Sequence, residues 1–99
     1  MRVRISDAAE ADLEEIGSSI AEDNLSRADS FVIELLERCH GLAEHSSRYP
    51  VVTTWNGHEI RRCPYGRYLI FYVFDAEVLE IVRIIHSARD YLRLLFPGD

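Results

Sequence analysis

A chain of 99 residues, 47% apolar and 28% charged, suits one small globular domain over 1–99, and no apolar run approaches the ~18 residues that a membrane span needs. All 11 cationic side chains are arginine, which excludes chemistry built on a lysine ammonium. The formal net charge of −6 lies in the front half, where residues 1–57 hold five arginines against eleven carboxylates while residues 58–99 balance six against six; such an acidic front half argues against broad contact with a phosphate backbone.

In chain order, Val3 and Ile5 alternate with Arg2 and Arg4, the period of a short strand. This start has no apolar signal-peptide core, so the reading is a cytoplasmic protein. Ser6 or Asp7 then caps a helix, with Asp7 and Glu10 at capping-box spacing. Ala9, Leu13, Ile16 and Ile20 form one helical stripe, and Glu10, Glu14 and Ser18 lie opposite. Gly17 costs roughly 1 kcal/mol against Ala inside a helix, which a closely crossing helix would explain.

Glu22 to Leu25 is a connector, and Ser26 is the expected N-cap of a second helix. Its apolar positions, including Ala28, Phe31, Val32, Leu35, Leu36, Cys39 and Leu42, recur at spacings of three and four. The short connector makes the pair an antiparallel hairpin. His45 to Pro50 reads as a loop, and Val51 to Trp55 as extended chain or a strand edge. Asn56-Gly57 is a turn. Three strands follow, His58–Cys63, Arg67–Phe74 and Val78–His86, joined by turns at Pro64-Tyr65-Gly66 and Asp75-Ala76-Glu77. Such short connections force antiparallel neighbours. Ala88 to Phe96 suits a last helical turn or two, stopped by Pro97-Gly98. The sum is α+β: a short N-terminal strand, a two-helix hairpin, a three-stranded antiparallel sheet and a short C-terminal helical segment.

The middle strand is apolar on both faces, with Leu69, Phe71 and Val73 on one and Tyr68, Ile70, Tyr72 and Phe74 on the other. A sheet covered on one side alternates apolar with polar. Either the C-terminal segment, with Tyr91, Leu92, Leu94, Leu95 and Phe96, covers the second face, or part of it serves another chain.

Cys39 and Cys63 read as unpaired buried thiols, and His40, His45, His58 and His86 are too dispersed for a zinc site. Neither a metal nor a cofactor is expected. Arg61, Arg62, Arg67, Arg83, Arg89 and Arg93 lie on or beside the three strands. Arg61 and Arg62 point to opposite faces. Arg83 interrupts the apolar set Leu79, Ile81 and Ile85, so it points inward or rims a concavity. Each arginine taken singly suits a surface ion pair with Glu59, Glu80 or Asp90. Taken together they suit a grip on an acidic partner. In a third reading His86 is a general base and an arginine stabilises a phosphate, as in a ribonuclease.

The run Gly57 to Tyr72 resembles the IRR-x-P-x-G-x-YLIFY stretch of ParE-like toxins, within the ParE/RelE superfamily. Val82 to Asp90 is similar to their closing I-x-R-I-x-H-x-x-RD strand, and Ala8 to Ile16 resembles their opening A-x-x-DL-x-x-I helix. The resemblance spans nearly the whole chain in the family's order. It implies the toxin of a type II toxin–antitoxin pair, associated with plasmid stabilisation, that poisons DNA gyrase and is neutralised by a ParD-like antitoxin. The antitoxin's extended C-terminal segment would lie across the hairpin and sheet, its acidic groups meeting the arginines. Arg61, Arg62, Arg67, Tyr68, Tyr72, Arg83 and Arg89 are then the residues that bind target or antitoxin. The fold is shared with RelE-like toxins, which cleave mRNA on the ribosome, often with lysines. That branch would make His86, Arg83 and Tyr91 catalytic. The missing lysines and acidic charge favour the ParE branch and argue against direct nucleic-acid binding. A non-toxic antitoxin-binding module is the third possibility.

Overall fold

The computed structural model describes residues 1–96. The elements run β1 (Arg2–Ile5), α1 (Asp7–Ala21), α2 (Leu25–Gly41), a 3-10 turn (Leu42–Glu44), β2 (Val51–Trp55), β3 (His58–Tyr65), β4 (Tyr68–Phe74), β5 (Val78–His86) and α3 (Tyr91–Leu95). The Ser6 hydroxyl caps α1 by accepting from the Ala9 N–H at 3.1 Å. α2 is capped by Asn24, not Ser26: the Asn24 Oδ1 accepts from the Arg27 N–H at 3.0 Å. Asn caps as well as Ser, and its extended backbone lets the helix begin at Leu25. At Gly17 the two helices meet at ordinary contact distance: a Cβ built there would lie 3.4 Å from Val32 Cγ2, so the crossing leaves room for a methyl group.

The sheet has five strands in the order β1-β5-β4-β3-β2 and is mixed. β1 runs parallel to β5, with Val3 opposite Leu79 and Ile5 opposite Ile81. The expectation of a three-stranded antiparallel sheet is corrected by both added edges. Hairpin logic joins only strands that follow one another, whereas β1 pairs across the helical hairpin with the last strand. Val51–Trp55 is a true edge strand, carrying a bulge between Val51 and Thr53. Asn56 (φ 53°) and Gly57 (φ 79°) make the two-residue turn to β3, whose left-handed positions suit Asn-Gly.

β3 continues through Pro64 and Tyr65, opposite Leu69 and Tyr68, so the next turn is Gly66-Arg67 and not Pro64–Gly66. Pro64 is tolerated because β2 pairs β3 only as far as Arg61, which leaves that side of β3 free at Pro64.

Two cores result. Between hairpin and sheet, Ala9, Leu13, Ile16, Phe31, Leu35, Cys39 and Leu42 meet Cys63, Ile70, Tyr72, Leu79, Ile81 and Ile84. On the other face Ile60, Leu69, Phe71 and Ile85 are covered by Tyr91, Leu94, Leu95 and Phe96. The C-terminal segment thus accounts for the two-sided apolar strand, and Phe71 is fully buried beneath it. The expected Pro97-Gly98 stop lies outside the described residues. Cys39 and Cys63 are buried free thiols, and burial, reinforced by Cys63, pushes the Cys39 thiol up to about 12. Among the described residues no helix is long and apolar enough to cross a membrane.

Candidate functional site

The seven candidate binding residues fall in different places. Arg61 and Tyr72 are opposite one another on β3 and β4 and hold the loop before β2. Arg61 Nη1 donates to the carbonyls of Ser47 (3.1 Å) and Tyr49 (2.6 Å), and the guanidinium stacks 5.6 Å from the Phe74 ring centroid. Its ion pair with Glu59 is loose, at 3.6 Å. The Tyr72 hydroxyl donates to the Ser46 carbonyl at 2.7 Å, and burial pushes its pKa up to about 12. These two side chains order a loop. Arg62 lies opposite Phe71 on the α3 face and is half-buried. Arg67 is exposed in the β3–β4 turn, and its carbonyl accepts from the Ser87 N–H at 2.8 Å.

Tyr68, Arg83, His86 and Arg89 come together. With Asp12 and Glu15 they line a small cavity of about 200 Å³ between α1 and the end of β5. Tyr68 and His86 are cross-strand partners, their rings edge to face at 5.2 Å. His86 Nδ1 accepts from the Ala88 N–H at 3.1 Å, so in the neutral ring the proton sits on Nε2.

Arg83 is held from two sides. Its Nε and Nη2 donate to Asp12 Oδ2 (2.8 Å) and Oδ1 (2.9 Å), and its Nη1 donates to the Leu94 carbonyl (3.1 Å). The reason is topological. β1 pairs β5 only as far as Ile81, so beyond that point the outer edge of β5 is open. The buried N–H of Ile84 needs an acceptor there, and Asp12 Oδ2 supplies it at 2.9 Å. Arg83, opposite Phe71 on the α3 face, reaches round the same open edge to the carboxylate. The bidentate bond to Asp12 pushes the Arg83 guanidinium further above its usual value, against desolvation.

Tyr91 is elsewhere. Its ring, at the start of α3, packs on Phe71 at 5.1 Å, and it does not line the cavity that holds His86 and Arg83. The suggested surface pairs also differ in part. Arg4 takes Glu80 and Arg93 takes Asp90, but Arg83 takes Asp12, which the sequence reading passed over. Its signal was present: Asp12 interrupts the stripe of Ala9, Leu13 and Ile16, and a carboxylate there calls for an inward cation such as Arg83.

A second feature is an open groove of about 1010 Å³ on the outer side of the hairpin. Its floor includes Leu13, Gly17, Val32 and Leu36, and the acidic residues in its lining are Glu10, Glu14 and Asp29. Beside it Leu25 and Ile33 are 70% and 56% exposed. Among the described residues no cluster of His, Cys, Asp and Glu is placed to hold a metal ion.

The sequence matches the family described as ParE toxin of type II toxin-antitoxin system, parDE, over residues 3–91. No curated protein matches it. Among solved structures, the chain is similar to a chain of the chromosomal ParDE toxin–antitoxin system from P. aeruginosa, with a TM-score of 0.72 and 16% identity over 87% of this chain and 95% of that one. It is also similar to a chain of the RelBE2 toxin–antitoxin complex from Mycobacterium tuberculosis, with a TM-score of 0.61 and 19% identity over 86% and 95%. Those likenesses extend the shared fold across both branches, and the match over 3–91 places the chain within one of them: it belongs to the ParE toxin family of type II toxin–antitoxin systems.

Proposed function

We propose that this toxin acts on DNA gyrase without catalysing a reaction of its own, and that a cognate antitoxin neutralises it. Family membership supports the toxin and its antitoxin. The observation that carries the non-catalytic reading is the state of Arg83. A phosphate-stabilising arginine must offer free N–H groups to the transition state. Arg83 instead commits three of its five N–H groups, one on each nitrogen, to Asp12 and the Leu94 carbonyl, and its charge is already met by Asp12. Tyr91, the other proposed participant, packs on Phe71 and does not line the cavity that holds His86. The hairpin groove, apolar with exposed Leu25 and Ile33 beside it, suits an amphipathic segment of the antitoxin. The test is the purified chain, free of antitoxin, in a gyrase supercoiling assay. Loss of supercoiling with accumulation of cleaved DNA is expected; unchanged supercoiling at stoichiometric excess refutes the gyrase reading.

A ribosome-dependent mRNA endonuclease is the second reading. It is favoured by one observation, the convergence of Tyr68, His86 and Arg89 on a single cavity. It requires that ribosome-bound transcripts be cut and that His86→Ala reduce cutting at least about tenfold, the low end of general acid–base contributions being about a hundredfold. Intact transcripts eliminate it. Chains harmless in cells without antitoxin, yet binding it tightly, would instead mark a non-toxic binding module.

A further inference from the structure

Among the described residues, five arginines have a carboxylate partner: Arg4, Arg27, Arg61, Arg83 and Arg93. Arg38 and Arg48 have none within ion-pair distance among the described residues, and both line one groove of about 600 Å³ between the end of α2 and the loop before β2. Each lies over an aromatic ring. Arg38 sits 4.9 Å from the Tyr65 ring centroid and Arg48 sits 5.8 Å from that of Tyr49. Stacking engages the face of a guanidinium; Arg38 Nη1 also donates to the Cys63 Sγ at 3.8 Å, a weak bond to sulfur that leaves its other in-plane N–H groups for a planar, two-oxygen acceptor. It also immobilises the side chain beforehand, so less freedom is lost on binding.

The obvious internal competitor is already committed. Glu34 accepts from Arg27 Nη1 at 2.7 Å and from the Tyr65 hydroxyl at 2.7 Å, which also fixes the ring on which Arg38 rests. His45 adds a further donor to the lining, and Glu37 is the other carboxylate there. We propose that this groove binds carboxylates of an acidic segment of a partner protein, with Arg38 and Arg48 each taking one carboxylate end-on or side-on. This deepens the reading that the chain works against protein partners, and it concerns a surface separate from the hairpin groove and from the cavity at His86. Protein carboxylates fit better than a nucleic-acid backbone. The chain carries a net −6, and two guanidiniums in a confined groove do not make the long basic track that a polyanion needs.

The test is fluorescence anisotropy on the full chain with three labelled probes: a short peptide alternating glutamate and leucine, the same peptide with glutamine for glutamate, and oligo-thymidine of equal length. The glutamate peptide is expected to bind, more weakly as salt rises, and the glutamine peptide at least about tenfold more weakly, a factor worth about 1.4 kcal/mol. Arg48→Gln, at an exposed loop position, is expected to cost a similar factor with an unchanged melting temperature. Arg38→Lys keeps the charge but not the fork, and is expected to recover only part of what Arg38→Gln loses. Binding that is equal for the two peptides, stronger for the oligonucleotide, or indifferent to both arginines overturns the proposal. A free peptide is the probe, so failure here leaves the gyrase assay to be judged alone, and a negative gyrase result leaves this groove standing.

Discussion

The Asp12–Arg83 pair gives Arg83 a structural role, and Asp12→Ala tests it. The substitution removes two hydrogen bonds to the guanidinium and the acceptor of the Ile84 N–H. It leaves Arg83, with a side chain only 24% exposed, without its counter-charge. Breaking a buried pair from one side costs about 3–5 kcal/mol. Partial solvation of Arg83 argues for the lower end, about 3 kcal/mol. In a domain of this size each kcal/mol moves the midpoint by about 4–8 °C, so a fall of roughly 12–24 °C is expected in thermal unfolding followed by circular dichroism. Asp12→Asn keeps an acceptor for Ile84 and should lose less. The double variant Asp12→Ala with Arg83→Met removes the stranded charge and should recover a good part of the loss, which a double-mutant cycle measures. A loss below about 1 kcal/mol for Asp12→Ala, the size of an ordinary surface pair, would mean that Asp12 does not hold Arg83 in place. Arg83 would then be available, and the nuclease reading would regain its phosphate stabiliser.

Phe71→Ala opens a cavity between β4 and α3 and should cost about 3–5 kcal/mol in urea unfolding, because Phe71 is fully buried. Gly17→Ala should stabilise by up to about 1 kcal/mol in the same assay: helix propensity improves, and the new methyl meets Val32 at 3.4 Å, an ordinary contact. Asp75 accepts from the Glu77 and Val78 N–H groups, both at 2.8 Å, and the Val78 bond, then the Glu77 bond, holds its carboxyl below the usual value. A lowered folded-state pKa gives stability that is present above the unfolded value, about 3.9, and lost as pH falls through the folded one. Asp75→Asn should therefore flatten the acid limb of the stability curve measured by chemical denaturation between neutral pH and pH 3.

The helices were legible because their apolar residues keep a period and a face: Leu13, Ile16, Leu35 and Cys39 reach the core as their spacing implies. The two-sided β4 was legible as a problem, and α3 answered it. The α2 cap was misplaced because Asn24 and Ser26 compete on equal chemical terms and only the backbone conformation decides between them. The parallel β1–β5 pairing was not legible, since nothing near Val3 specifies a neighbour at Leu79. The site was legible as a list of arginines and not as an arrangement. Strand alternation separates Arg61 from Arg62, but it does not say that Arg61 holds the loop carbonyls or that Arg83 turns back to α1. Those outcomes depend on where an open sheet edge and an unsatisfied backbone group fall.

The position of β1 has a bearing on how the protein is made. Among the described residues its first strand is hydrogen-bonded to β5 and to no other strand, and β5 lies between it and β4. Val3 therefore waits for Leu79, 76 residues later, and Asp12 waits 71 residues for Arg83 and 72 for Ile84. At about 5–20 residues per second of synthesis, that delay is roughly 4–15 s. The front half of the nascent chain can form its helical hairpin early, but the sheet is closed only when the last strand arrives. A truncated product that ends before β5 would lack the strand on which both β1 and the Asp12 carboxylate close, so an interrupted copy of this toxin is a poor candidate for a folded one.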